Sequence, residues 1–491
     1  MLQRFPEGGR RVLGLLLCLL TPPLLAEPSP APARPDDKAT LTREQQTEQL
    51  MHGAYLQAPY TCPALEDPQT YAQGTMAAMR QIVAGKRYWY FRTEVDLQSD
   101  FPFSDMSRQA FAELVQRLGA RGIRLVMMLQ PTRGLMQAEA LIQPWRGQYP
   151  LYRARAAYLQ KAQDMRSLGA LVTDMAPVLK SPHEQDYFFR RDHHWTPYGA
   201  RISAIQVAQV MRSDPGLDGI AARNFDTRPD ILLRKMGTMN VAVNRLCGNS
   251  YGYQWVRGYA TVPVDNADDA DALFGDVAVP RIALVGTSNS DNRDDRYKNY
   301  NFQGFLQQYL HRDVVNYAMT GGGATGSLQD LLYSDAYRDG QFRYVIWELP
   351  VNYALEDPVE WRQILPAAGQ GCRGRELLAS GQAMLPVGGP DQRREVLANA
   401  GANRQATGER GALTLDMTFS SAALKDFYVL AYYDDGLREK VRVRRPARLD
   451  TGRFMLRLDP PQASSNLISV LLEPEQALTE PVQVESRLCA Y

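Results

Sequence analysis

RIALVGTS, residues 281–288, is an apolar run that ends in glycine, threonine and serine, and it predicts a buried strand followed by a turn. A helix is predicted next, over Phe302–Leu310. Similar apolar runs, each before a cluster of small or polar residues, occur at Ile123–Leu129, Asp313–Tyr317 and Tyr344–Leu349. Their alternation with helical segments such as Ser104–Leu118 predicts an α/β fold with a mostly parallel sheet and flanking helices. Ligands bind such sheets past the carboxyl ends of the strands.

The pattern changes after Pro366. Strand-like segments without intervening helices follow at Leu413–Phe419, Phe427–Tyr433, Lys440–Arg445 and Asn466–Leu472. Short strands in this arrangement predict a β-sandwich. We place the boundary near Gly369–Gly371, so that residues 44–368 form the α/β domain and residues 369–491 form the sandwich.

The overall charge gives no indication of nucleic-acid binding. The 55 basic and 54 acidic residues leave a net charge of +1, so no general field favours nucleic acid. A surface that binds anions must therefore be a local patch.

The N-terminus has the pattern of a secretory signal. Arg10 and Arg11 precede the apolar run Val12–Leu20, and the small residue Ala26 follows. We predict a cleaved signal peptide over residues 1–26 and a flexible, proline-rich leader over residues 27–43. An uncleaved anchor is the alternative, but the apolar run is short for a membrane span. The mature protein is then expected to be soluble, without stable membrane insertion, and periplasmic if bacterial.

Signal cleavage removes one of the five cysteines and leaves Cys62, Cys247, Cys372 and Cys489. An even number in an oxidising compartment predicts disulfides, with free buried thiols as the alternative. Four cysteines allow three pairings. The simplest keeps each bridge within one domain, Cys62–Cys247 and Cys372–Cys489.

Ser288 is the candidate nucleophile. A serine at a strand-to-helix corner presents its hydroxyl above the sheet, and nearby backbone N–H groups can bind an oxyanion. Taken alone, this pattern is more often a simple helix N-cap.

The segment RDHHWTP, residues 191–197, supplies a candidate general base. Thr196 and Pro197 are typical of a helix start, which puts Asp192 and His194 in the preceding loop. A carboxylate two residues before a histidine can bind its Nδ1–H and leave Nε2 free to accept a proton. His193 lacks such a partner and is interpreted as a packed or solvent-facing neighbour. A zinc site would need further ligands, so no metal is predicted.

Two more segments can stabilise an oxyanion. The cluster Gly321–Gly323 follows a strand, and its backbone can approach a substrate closely, although it is as easily a flexible turn. We select Gly322 from this cluster and the side-chain amide of Asn352, which follows the strand Tyr344–Leu349. Glu348, inside that strand, is interpreted as a supporting residue.

Together these segments resemble the SGNH hydrolase superfamily. The serine block, an Asn–Gly block and a strand–Asn block occur in the family's order at 286–288, 316–323 and 345–352, but Asp192 and His194 come first instead of last. This order is that of a circular permutation, and with the D-x-H-W-T motif it resembles the AlgX and AlgJ group of alginate O-acetylation proteins. The signal peptide and the added C-terminal β domain with a cysteine pair make the AlgX members of this group the closer match. The glycine usual in the strand–Asn block is replaced by Pro350 or its neighbours.

The sandwich contains a basic row. At strand period two, Lys440, Arg442 and Arg444 share one face, with Val441 and Val443 on the other. Other basic and aromatic residues near this row in sequence are Lys425, Arg438, Arg448, Phe427, Tyr432 and Tyr433. The residues alone fit a polyanion-binding face and a charged edge strand equally well. The resemblance implies a carbohydrate-binding module, with Lys425, Phe427, Arg438, Lys440 and Arg442 as its candidate residues.

The resemblance implies O-acetylation of mannuronate residues in alginate. Ser288 would form an acetyl-enzyme with the help of His194 and Asp192. No dissociable cofactor is expected, only an acetyl donor of unknown identity. Expected partners are alginate or polymannuronate and the proteins of a periplasmic alginate secretion complex. An esterase with the same three residues and a non-catalytic alginate-binding scaffold are the alternatives.

Overall fold

The computed structural model describes residues 61–181, 183–264, 279–293, 295–390 and 392–491. The predicted signal peptide, the leader and residues 44–60 of the predicted α/β domain lie outside these ranges. Within the described ranges, no helix is long and apolar enough to cross a membrane.

The α/β domain contains strands that lie at β1 Ile82–Ala84, β2 Tyr90–Arg92, β3 Arg124–Gln130, β4 Leu171–Val172, β5 Phe225–Lys235, β6 Gln254–Pro263, β7 Ile282–Val285, β8 Val314–Asn316 and β9 Tyr344–Pro350. Its α-helices lie at α1 Gly74–Ala77, α2 Thr93–Asp96, α3 Asp105–Gly119, α4 Arg133–Gln137, α5 Trp145–Gln148, α6 Leu151–Ser167, α7 Ala176–Lys180, α8 Pro197–Arg212, α9 Thr238–Cys247, α10 Phe302–Leu310, α11 Gly326–Tyr333, α12 Asp335–Arg338 and α13 Pro358–Ala368. Short 3-10 helices connect several of these elements.

A five-stranded parallel sheet in the order β4-β3-β9-β7-β8 forms the centre of this domain. Strands β7 and β9 are buried along their whole length, as is β3 apart from its first residue. Burial on both faces explains why these strands are apolar runs without alternation. The predicted parallel sheet is confirmed, and the turns after β7, β8 and β9 lie at one edge of it.

The C-terminal domain is an antiparallel β-sandwich, as predicted. Its strands are β10 Ala379–Leu385, β11 Arg394–Ala398, β12 Leu413–Phe419, β13 Asp426–Tyr433, β14 Arg438–Arg444, β15 Arg453–Leu458, β16 Leu467–Pro474 and β17 Val482–Ala490. They form two four-stranded sheets, β10-β17-β12-β15 and β11-β16-β13-β14. The apolar faces of both sheets share one core. Four of these strands, β10, β11, β15 and β17, are absent from the sequence prediction.

Two disulfides tie distant parts of the chain together. Cys62 is bonded to Cys247 across 185 residues, and Cys372 is bonded to Cys489 across 117 residues. The prediction of disulfides is confirmed, and their pairing is the one that keeps each bridge within its domain. The first bridge fixes the segment before β1 to the last residue of α9, and the second fixes the start of the sandwich to β17.

Candidate active site

Ser288 lies in the turn that follows β7. The Gly286 N–H donates to the Ser327 hydroxyl (2.9 Å), and the Ser290 N–H donates to the Thr287 carbonyl (3.0 Å). Position 286 requires glycine, because a Cβ there would lie 2.7 Å from Oε2 of the buried Glu348. Ser288 is half-buried, and its Oγ lies 2.9 Å from Nε2 of His194. The corner therefore presents the serine hydroxyl to the histidine.

Asp192 and His194 lie in the loop that leads into α8. Thr196 caps this helix, and its side chain accepts a hydrogen bond from the Gly199 N–H (3.2 Å). His194 Nδ1 is 2.5 Å from Asp192 Oδ1, which also accepts the His194 backbone N–H (3.0 Å). The structure thus brings Ser288, His194 and Asp192 into one hydrogen-bonded line.

Arg133 at the start of α4 holds the loop that carries Asp192 and His194. Its side chain is 1 % exposed, and its Nη1 donates to the carbonyls of Phe189 (2.5 Å) and Asp192 (2.6 Å). Its Nη2 donates to the carbonyls of Tyr90 (2.7 Å) and Arg190 (2.9 Å). A planar fork is suited to several acceptors at fixed angles. The sequence analysis missed Arg133, because no local pattern connects it to a loop about 60 residues away.

A glycine brings α9 against the same loop. Gly237 has φ +88°, and a Cβ at this position would lie 2.2 Å from the Arg191 carbonyl oxygen. The Thr238 N–H therefore reaches Asp192 Oδ2 (2.8 Å). Lys235 Nζ lies 3.7 Å from Asp192 Oδ1 and donates to the Tyr300 hydroxyl (2.5 Å).

Burial and the surrounding charges determine the protonation states of Asp192 and His194. Burial opposes ionisation of Asp192, but at low pH the protonated form of His194, together with the charge of Lys235, outweighs this effect and holds the pKa of Asp192 well below the usual range. Burial lowers the pKa of His194, against the opposing effect of Asp192. The aspartate is therefore ionised and the imidazole neutral near pH 7. Nδ1 then carries the proton, and Nε2 is free to accept one from Ser288.

The predicted oxyanion residues differ in their surroundings. The Gly322 N–H donates to the Met319 carbonyl (3.3 Å), so this amide already has an acceptor within its own turn. Asn352 lies half-buried in the turn after β9, and its role stays a prediction. Within the described ranges, no acceptor is hydrogen-bonded to the N–H of Ser288 itself, which leaves this donor available to an oxyanion.

Arg293 is a cation at the nucleophile that the sequence analysis missed. Its Nη2 donates to the Ser288 carbonyl (2.9 Å) and lies 3.5 Å from His194 Nε2. Positive charge at this point would stabilise the negative charge that develops if Ser288 attacks a carbonyl. A basic residue five positions after a serine is too common in sequences to have indicated this role.

Glu348 lies below the serine turn. It is fully buried in β9 and accepts hydrogen bonds from the Thr287 N–H (2.7 Å), the Thr287 hydroxyl (2.9 Å) and the Ser290 hydroxyl (3.1 Å). Burial raises the pKa of its carboxyl to about 7, against the lowering effect of these hydrogen bonds. The carboxyl fixes the turn and does not contact Ser288 Oγ.

One group of side chains has the composition of a metal site. Asp192, His193 and His194 each offer a ligand atom, all within 4.8 Å of one another. The Asp192 and His194 atoms are already hydrogen-bonded in the line to Ser288, and His193 Nδ1 lies 3.0 Å from the Thr238 hydroxyl. The arrangement fits a hydrogen-bonded proton path better than a metal centre.

The basic row of the sandwich lies on β14 with the predicted alternation, since Val441 and Val443 are buried. Each cation has an acidic partner, on the adjacent strand β13 or at the end of β16, the next strand of the sheet. Lys440 pairs with Glu473 (2.7 Å), Arg442 with Asp426 (2.8 Å) and Glu475 (3.1 Å), and Arg444 with Asp426 (3.2 Å). The row is therefore much less positive than its sequence indicates.

Two candidate carbohydrate residues of the sandwich have other roles. The prediction that Phe427 binds carbohydrate is wrong, because its ring is 0 % exposed and packs against Phe419 and Phe454. Lys425 Nζ donates to the carbonyls of Ala447 and Leu449 (3.1 Å for the latter), which fixes a loop.

Tyr428 is an aromatic residue in contact with the basic row. Lys440 Nζ lies 3.8 Å from its ring centre. Arg438, at the start of β14, is exposed. Carbohydrate binding by Arg438, Lys440 and Arg442 stays a prediction.

The two domains meet beside the serine turn. Arg448, in the loop after β14, forms an ion pair with Asp291 (3.1 Å), three residues after Ser288. Asp291 also accepts the Thr320 N–H from the glycine-rich turn (2.9 Å). The sandwich therefore contacts the loop that carries Ser288 directly.

Comparisons with known proteins agree with this architecture. The family model described as SGNH hydrolase-like domain, acetyltransferase AlgX, matches residues 82–351, and a model of a C-terminal carbohydrate-binding module matches residues 371–491. The chain is 33% identical to alginate biosynthesis protein AlgX of Pseudomonas aeruginosa, over 88% of this chain and 89% of the relative. It is 30% identical to a probable alginate O-acetylase AlgJ of Pseudomonas putida, over 55% of this chain and 70% of the relative. The solved structure of P. aeruginosa AlgX superposes with a TM-score of 0.78 at 32% identity, covering 88% of this chain and 99% of that one.

Proposed function

This chain belongs to the AlgX family of SGNH hydrolase-like acetyltransferases, and we propose that it transfers acetyl groups to mannuronate residues of alginate. The observation that carries the proposal is the line from Ser288 Oγ through His194 to Asp192 at the carboxyl edge of a parallel sheet. A half-buried hydroxyl hydrogen-bonded to a neutral, oriented imidazole is an activated nucleophile.

The first half-reaction forms an acetyl-enzyme. Ser288 Oγ attacks the carbonyl carbon of an acetyl ester while His194 Nε2 takes the hydroxyl proton. The Ser288 N–H and Arg293 stabilise the oxyanion, with Asn352 as a further candidate donor. The tetrahedral intermediate collapses when the bond to the leaving group breaks, and His194 returns the proton to that group. No dissociable cofactor enters this step.

The second half-reaction needs a sugar hydroxyl in place of water. A mannuronate O2 or O3 hydroxyl gives its proton to His194 and attacks the acetyl-serine carbonyl. The bond from the carbonyl carbon to Ser288 Oγ then breaks, His194 returns the proton to Oγ, and the acetylated sugar leaves. The contact between Arg448 and Asp291 supports an acceptor delivered by the carbohydrate-binding domain, since it places that domain against the nucleophile loop. A polymer held there would compete with water through its high local concentration.

We further propose that the protein works in the periplasm, after removal of residues 1–26, beside proteins that export the polymer. The proposed signal peptide supports this location. The two disulfides support it as well, because disulfides persist in oxidising compartments.

The test is incubation of the purified mature protein with a small acetyl ester and polymannuronate, followed by NMR of the polymer. We expect O-acetylated mannuronate from the wild-type protein and none from Ser288→Ala. Free acetate without acetylated polymer would show an esterase instead. A Ser288→Ala strain that still acetylates alginate but no longer secretes it would show a scaffold.

A further inference from the structure

A cavity of about 510 Å³ lies beside the triad and has no part in the mechanism above. Helices α1 and α9, the end of β5 and the segment 295–298 line it, and Asp192 forms part of its wall. Asp192 in this wall is hydrogen-bonded to His194, which in turn contacts Ser288 Oγ.

The cavity is positive although the chain as a whole is nearly neutral. The basic residues that line it are Arg234, Lys235, Arg245 and Lys298, and the acidic ones are Asp192 and Asp295. Both carboxylates are engaged, since Lys298 pairs with Asp295 (2.9 Å) and Lys235 lies 3.7 Å from Asp192. Arg234 and Arg245 form no ion pair with any residue that the structure describes, so two guanidinium charges face this cavity without a counter-ion.

Arg234 is held in place by aromatic rings. Its guanidinium carbon lies 5.7 Å from the ring centre of Tyr253 and 4.9 Å from that of Tyr297, and both rings also line the cavity. Stacking of this kind orients the planar cation while its N–H groups stay available. The rest of the lining includes the apolar side chains of Met76 and Met236.

We propose that this cavity binds an acidic sugar residue of the acceptor polysaccharide, with Arg234 hydrogen-bonded to its carboxylate. The inference rests on the proposed function, because a polymer whose hydroxyl reaches Ser288 must extend into neighbouring space on both sides. A hexuronate unit combines one carboxylate with apolar ring faces. An arginine fork beside tyrosine and methionine surfaces matches both parts.

The experiment compares acceptors with and without carboxylates. Oligomannuronate and its carboxyl-reduced, neutral counterpart are acetylated from a small acetyl ester by the wild-type protein, by Arg234→Gln and by Arg228→Gln. Arg228 is the control, since it lies on the same strand but is paired with Asp226 and 75% exposed. Thermal melts verify folding, and Arg234→Lys is a second variant that keeps the charge but loses the fork.

We expect Arg234→Gln to raise the KM for oligomannuronate about tenfold and to change the KM for the neutral acceptor less than twofold. Arg234→Lys should lie between, and Arg228→Gln should match wild type. An equal rise for both acceptors, an unchanged KM, or a rise in the KM for the acetyl ester instead would overturn the proposal.

Binding of oligomannuronate to Ser288→Ala protein, measured by calorimetry, separates this inference from the proposed function. If wild type acetylates neither acceptor, the proposed function fails. The cavity is then still tested by whether adding Arg234→Gln weakens binding about tenfold, and unchanged affinity would refute it.

Discussion

Replacing Glu348 by glutamine tests how the turn that carries Ser288 is held. The carboxyl is fully buried and accepts hydrogen bonds from Thr287 and Ser290. Glutamine has nearly the same volume, but its amide nitrogen cannot accept. At low pH, where the wild-type carboxyl is protonated, the substitution is expected to cost about 1–3 kcal/mol through the mismatched hydrogen bonds.

The pH dependence of the free energy of unfolding gives a more specific prediction. Burial raises the pKa of Glu348 from 4.5 to about 7 in the folded protein. Below pH 4.5 the carboxyl is protonated in both states, and its contribution to stability is fully present. As pH rises towards 7, the unfolded chain ionises first, so the free energy of unfolding falls by about 3 kcal/mol. Glutamine does not titrate, so the variant lacks this loss and gains about 3 kcal/mol on wild type between pH 4 and pH 8.

Urea unfolding followed by tryptophan fluorescence measures this difference. All 6 tryptophans precede residue 369, so the signal reports the α/β domain. Glu480→Gln makes the same chemical change at an exposed position of the sandwich and serves as control. A difference between wild type and Glu348→Gln that stays constant from pH 4 to pH 8 would refute the reasoning.

Three further results are expected. Asp192→Asn, which loses the acceptor that orients His194, should lower kcat for ester hydrolysis about a thousandfold with a similar KM, and a loss below tenfold would contradict the assigned role. Lys235→Met removes a cation that lies 3.7 Å from Asp192. This change should raise the pKa of His194 and so move the acidic limb of the pH profile of kcat/KM to higher pH. An acidic limb at the same pH as in wild type would contradict the prediction. The double variant Cys372→Ser and Cys489→Ser opens a bridge across 117 residues and should lower the free energy of unfolding by about 2–5 kcal/mol in calorimetry, whereas an unchanged melting temperature would show that the bridge is not stabilising.

The sequence predicted those features that depend on neighbouring residues. The strands Ile282–Val285 and Tyr344–Pro350 are apolar runs because both faces are covered, and α8 begins at the expected Thr196–Pro197 boundary. Asp192 and His194 are two positions apart, so one loop brings them together, and their contact does not depend on distant packing.

Features that depend on distant packing were missed. The Lys235 and Arg133 side chains reach the Asp192 loop from separate elements, and nothing near them in sequence indicates it. The wrong prediction for Phe427 has a different cause, because the alternation of side chains along its strand was enough to place it in the core. It shares its parity with the buried Val429, so it faces the core, whereas the half-buried Tyr428 faces outward.

The position of β9 has a consequence for the timing of synthesis. This strand is the last of its sheet to be made, yet it lies between β3 and β7. The halves of the sheet that carry His194 and Ser288 therefore have no common strand until Tyr344–Pro350 has emerged. A nascent chain that stops earlier contains Ser288, His194 and Asp192, but it lacks the strand that joins the two halves of the sheet. Activity should consequently arise in one late step, and a stalled or truncated chain should be catalytically silent.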